Sequence, residues 1–116
     1  MITKANEAIE VAQASLAKGK LEHARDAAYT ATLRGIYALC YAANNEPLEE
    51  AKDPVWVAKT FPAVASVLPS WYGRRNSQPL GFGARHVGGL NGINAEEMIR
   101  QAKEFVAICK ENVLHE

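Results

Sequence analysis

Ala24, Ala28, Ala31, Gly35, Ala38 and Ala42 recur at intervals of four, three, four, three and four residues. On a helix that spacing keeps all six on one stripe for about five turns. A stripe of small side chains lets a second helix axis come close, because no bulky group holds the two apart. Gly35 sharpens the point. Glycine inside a helix costs about 1 kcal/mol relative to alanine, so its presence implies a packing reason. The sequence therefore predicts a helix from about Lys20 to Ala43, ended by Asn44, Asn45 and Pro47. Its flanks carry Leu21, Tyr29, Leu33, Ile36, Tyr37, Leu39 and Tyr41, so the C-terminal half is apolar nearly all round. Such a helix is central in a bundle or lies at a dimer interface, with Tyr37, Tyr41 and Trp56 as interface candidates.

The neighbouring segments read as helices too. Residues 3–18 place Ala5, Ala8, Ile9, Ala12 and Leu16 on one face, with Thr3 as cap and Gly19 as the left-handed stop. Asp53-Pro54 opens a third stretch, which Pro62 must kink or divide into two short helices. Asn94-Ala95-Glu96-Glu97 is a capping-box sequence, with Ile93 and Met98 placed to form a hydrophobic staple. Met98, Ala102, Phe105, Val106, Cys109 and Val113 then form an apolar stripe. No convincing strand is present. The expected fold is all-α: a single domain over residues 1–116, an up-and-down bundle of four to five helices with a long Gly/Arg-rich loop before the last helix.

Composition excludes several classes of function. Lys plus Arg and Asp plus Glu number 13 each, so no global field draws the chain to DNA or lipid. No apolar run reaches the ~18 residues needed to span a bilayer, and the first residues lack the regions of a signal peptide. A cytoplasmic location without membrane association is the expectation. Cys40 and Cys109 sit on apolar stripes of different helices and read as buried thiols rather than a redox pair. His23, His86 and His115 show no metal-ligand spacing, and no pair of Glu-x-x-His motifs occurs, so no metal or other cofactor is implied. The glycines lack the context of a Rossmann or P-loop motif. Glu49, Glu50 and Asp53 read as a solvated acidic patch.

Chemistry concentrates between Pro69 and Ile93. Six of the chain's eight glycines lie there, in a stretch far longer than ordinary bundle loops. Trp71, Tyr72, Leu80 and Phe82 point to ordered packing, since flexible linkers carry few aromatics. Residues 1–53 hold six Lys/Arg against eight Asp/Glu, and residues 96–116 hold three against five. Residues 54–95 hold Lys59, Arg74, Arg75 and Arg85 with no acid at all, a net +4. Guanidinium groups suit bidentate phosphate or carboxylate, and glycines leave backbone N–H groups open to an anion. The start of the last helix directs unpaired N–H groups toward the same loop. The expected anion or nucleotide site therefore comprises Trp71, Tyr72, Arg74, Arg75, Asn76, Gly81, Gly83, Arg85 and His86. The three arginines would neutralise charge, amides near Gly81, Gly83 and Gly88 would hold oxygens, and Trp71 or Tyr72 would stack on a base. The competing reading pairs those arginines with helix acids such as Glu22, Asp26, Glu96 or Glu97, and leaves His86 solvated.

The layout resembles the HEPN superfamily of small helical nucleotide-binding and ribonuclease domains. The hairpin from Ala8 through Gly19 to Ala31 is similar to the family's first two helices. The block from Arg75 to His86, followed by Ala95 to Val106, is similar to its Arg- and His-bearing loop and final helix. The resemblance implies an up-and-down bundle, a homodimer and, in active members, an Arg and a His a few residues apart forming a shared ribonuclease site. Here Arg85 is adjacent to His86 and Arg75 precedes it by eleven positions, so no pair has the family's spacing. The resemblance thus implies a non-catalytic module that binds nucleotide or RNA phosphate, with a minimal nucleotidyltransferase as possible partner. One alternative is a metal-independent, toxin-like ribonuclease in which His86 is the general acid or base and Arg85 or Arg75 holds the scissile phosphate. A second is a structural dimer with no ligand.

Overall fold

Gly19 sets the direction of the first hairpin. In the computed structural model, which describes residues 2–44, 54–72 and 93–114, Gly19 has φ of +78°. Helix α1 spans Ile2–Ala17 and α2 spans Leu21–Asn44. The Lys20 N–H donates to the Ser15 carbonyl at 2.9 Å, and the Gly19 N–H to the Leu16 carbonyl at 3.0 Å. This pair of bonds is a Schellman closure, which satisfies carbonyls that α1 leaves open and requires the left-handed residue between them. A Cβ at Gly19 would meet nothing within 4 Å. The cost of Gly19→Ala is therefore purely conformational. We expect a loss of about 1 kcal/mol, seen as a lower urea midpoint at unchanged slope, with Gly19→Asn losing less.

The turn sends α2 back along α1. Arg34 Nη1 donates to the Lys4 carbonyl at 3.2 Å, which places the start of α1 beside the middle of α2. Ala5, Ala8, Ile9 and Ala12 are buried, as the periodicity of α1 predicts. On α2 the small-residue stripe is buried from Ala24 to Ala38: Ala24, Ala28 and Ala31 are fully covered, and Ala38 nearly so. Gly35 is buried and Ala42 half-buried. Thr32 is the buried polar residue of this helix, and its hydroxyl donates to the Ala28 carbonyl at 3.2 Å.

Pro62 divides the next stretch as predicted. Helix α3 covers Pro54–Thr60 and α4 covers Pro62–Ala65. Phe61 between them has left the helical region, with φ −126° and ψ 74°, consistent with the clash that keeps a residue before proline out of the α conformation. Val57 and Val64 carry the pair into the core. The Trp56 and Phe61 rings meet edge to face at 6.0 Å, and both pack, partly buried, against the core.

Helix α5 spans Ala95–Leu114. Its cap is Asn94: the Oδ1 accepts from the Glu97 N–H at 2.9 Å, and its carbonyl accepts from the Met98 N–H at 3.0 Å. Met98, Ala102, Phe105, Val106 and Cys109 are buried, and Ile93 packs against the core from just before the cap. Helix α2 touches both α1 and α5, and those two touch each other. Positions pair in ascending order along α2 and α5: Arg25 with Ile93, then Gly35 with Phe105 and Cys109. The two helices thus run parallel, as the second and fourth helices of an up-and-down bundle do. They are in direct contact because the stripe of α2 is small and the third position is filled by two short helices. The described residues hold five helices and no strand, an all-α bundle. No helix among them is long and apolar enough to cross a membrane.

Candidate functional site

The entry to the Gly/Arg-rich segment is held by aromatic packing. Tyr72 is fully buried and Trp71 is 3% exposed. The Tyr72 ring stacks on Tyr29 of α2, with centroids 5.7 Å apart and planes 15° apart. Trp71 lies 6.2 Å from the same tyrosine, tilted by 41°. The indole N–H of Trp71 donates to Gln101 Oε1 on α5 at 2.6 Å. This corrects the expectation that Trp71 or Tyr72 stacks on a base. Both rings give their area to the core, which gains more from enclosing a large apolar face than from leaving it to water. The buried indole nitrogen needs an acceptor, and Gln101 provides one.

The exit is held by a cation. Arg25, on α2, donates from Nε to the carbonyl of Ile93 at 2.7 Å, in a partly buried bond that joins positions 68 residues apart. Ile93 immediately precedes the cap of α5. Arg25 and Tyr29 are one turn apart on α2, so the last residues before the segment and the first after it rest on adjacent turns of one helix. Arg74, Arg75, Asn76, Gly81, Gly83, Arg85 and His86 lie outside the described residues.

The start of α5 is less open to an anion than the sequence suggests. The N–H of Glu97 is taken by the Asn94 side chain. A shallow hollow there is lined by Asn94, Glu96, Glu97 and Arg100, two carboxylates against one guanidinium. Arg100 is itself engaged. Its Nε donates to Glu97 Oε1 at 3.1 Å, its Nη1 to Glu104 Oε2 at 2.8 Å, and its Nη2 to Glu97 Oε2. The hydrogen bonds from Arg100 hold the Glu97 carboxyl below the usual carboxylate range. Glu97 is therefore turned toward Arg100 instead of closing the capping box, and as an acid for the segment's arginines it already has a cation.

Among the described residues no cluster of three or more His, Cys, Asp or Glu is arranged to hold a metal. Cys40 and Cys109 are buried and unlinked. Burial pushes the Cys109 thiol well above its ordinary value, because a thiolate would lose its hydration there. In native buffer neither thiol should react with Ellman's reagent over minutes, and two should titrate in denaturant; rapid reaction of the folded protein would contradict this packing.

Arg25 and Gln101 are the residues that sequence reasoning missed. Arg25 carries no motif, and Gln101 is one polar position among several on an amphipathic helix. Only the long-range contacts single them out. Compared with protein-family models, curated proteins and solved structures, the chain finds no match in any of the three.

Proposed function

We propose that this chain is a cytoplasmic, non-catalytic binding module for nucleotide or RNA phosphate, built on the segment between Tyr72 and Ile93. The observation that carries the reading is a charge pattern: residues 54–95 hold three arginines and a lysine and no acid, in a chain otherwise net negative. Two contacts support it, the packing of Trp71 and Tyr72 on Tyr29 and the bond from Arg25 to Ile93. They tie both flanks of the segment to the bundle, and a receptor held at both ends loses less freedom when it binds. In this reading Arg74, Arg75 and Arg85 meet phosphate oxygens, Asn76 and His86 add polar contacts, and the amides of Gly81 and Gly83 complete the site. The resemblance to HEPN domains adds homodimerisation and a nucleotidyltransferase partner to the proposal. Tyr41, 44% exposed on α2, is the residue on which such a dimer surface would centre. The ribonuclease alternative gains no support, because no Arg–His pair has the spacing that chemistry uses.

The test is binding of a fluorescein-labelled oligouridylate as salt is varied. Three phosphate contacts to a single strand give a slope of log K against log salt of about −2. Arg75→Glu combined with Arg85→Glu should weaken binding by about a hundredfold or more, with the helical circular dichroism retained. Affinity and slope that survive the double reversal would refute the reading.

A further inference from the structure

We infer that residues 54–72 form a strap that opens as one unit, ahead of the three-helix body made by α1, α2 and α5. The inference does not depend on what the neighbouring segment binds. Helices α3 and α4 have seven and four residues, well below the ~12–15 at which a helix becomes stable by itself in water. Pro62 lacks the N–H that would carry one helix into the next, and α4 begins at Phe61 without a side-chain cap. The strap is therefore ordered by what it is docked on, and its docking is uneven. Helices α1, α2 and α5 pack pairwise on one another, whereas α3 packs chiefly on α4, and α4 on α5. The firm anchors come at the end of the strap. Tyr72 stacks on Tyr29 of α2, and Trp71 lies beside the same ring with its indole N–H on Gln101 of α5. Val57 and Val64 fill the core beneath the short helices, while Val55 on their outer side is 65% exposed. Helices that cannot stand alone lose their structure when their anchors lift, so residues 54–72 open together and at lower cost than the body. Opening bares the Tyr29 ring and the α5 face beside Gln101, while Gly35 stays closed on Phe105 and Cys109.

Both tryptophans of the chain, Trp56 and Trp71, lie in the strap, so indole fluorescence follows the strap. Far-UV circular dichroism follows the body, whose helices have 16, 24 and 20 residues. In urea the fluorescence midpoint of the unaltered chain should lie about 1 M below the circular dichroism midpoint. By hydrogen exchange without denaturant, the slowest amides of residues 54–65 should be protected about a hundredfold less than the slowest of α5. Gln101→Met removes the indole's acceptor at similar volume and leaves a buried N–H without a partner. It should lower the fluorescence midpoint and leave the circular dichroism midpoint in place. Coincident midpoints or equal protection in the unaltered chain would overturn the inference. So would a Gln101→Met variant whose two midpoints fall together. The unaltered chain carries the test by itself should Gln101→Met fail to fold.

Discussion

Leucine at position 35 lowers the stability of this protein by about 3 kcal/mol or more. A Cβ placed on Gly35 would already lie 3.2 Å from Cys109 Sγ and 3.3 Å from Phe105 Cε2. The rest of a leucine side chain would have to occupy the space of the Phe105 ring. Overfilling a packed core commonly costs 1–3 kcal/mol, and here the obstruction begins at the first side-chain atom, so the upper end applies. Domains of this size have only about 5–15 kcal/mol in total. Urea unfolding of Gly35→Leu should therefore show a midpoint far below that of the unaltered chain. A change under 1 kcal/mol would mean that α2 and α5 do not meet at Gly35.

The second large effect comes from the opposite change at the same contact. Phe105 is fully buried, and Phe105→Ala should cost about 3–5 kcal/mol, the loss of apolar transfer plus the cavity left behind. The two changes should not add. Truncating Phe105 opens the volume that a leucine at position 35 needs, so the double variant should be more stable than the sum of the single losses implies. A coupling of about 0.5–3 kcal/mol is expected between residues in direct contact. Strict additivity would separate the two sites and remove the close approach of α2 to α5.

Much of the frame is legible in short stretches of sequence because those signals are local. Gly19 ends a helix because only glycine takes φ near +78° without strain, and the bonds that need it involve residues 15–20. Pro62 breaks a helix by removing a donor and restricting the residue before it. Asn94 starts one because its side chain reaches an N–H three residues on. The small-residue stripe reads correctly as a close-packing surface because only one face of a long helix lacks bulk. The candidate site is legible only as a charge pattern. At its described margins short-range sequence does not decide the role of Trp71 and Tyr72, because an aromatic ring beside arginines has the same sequence signature whether it faces a base or a core. Glu97 has a similar ambiguity. Three residues after a cap it can close a capping box, but three before an arginine it can pair with that side chain, and here Arg100 takes it.

The chain by itself determines where α1 ends, where α3 and α4 part, where α5 begins and which helix faces are apolar, since these follow from backbone conformation and periodicity within a few residues. The start of α1 does not follow in this way, because Thr3, expected as the cap, lies inside the helix. Tertiary structure alone decides that α2 meets α5 in parallel at Gly35, that Trp71 and Tyr72 turn inward onto Tyr29, and that Arg25 reaches across to Ile93. Those choices depend on which distant groups compete for the same buried space and the same hydrogen bonds, and that competition exists only once the helices are assembled.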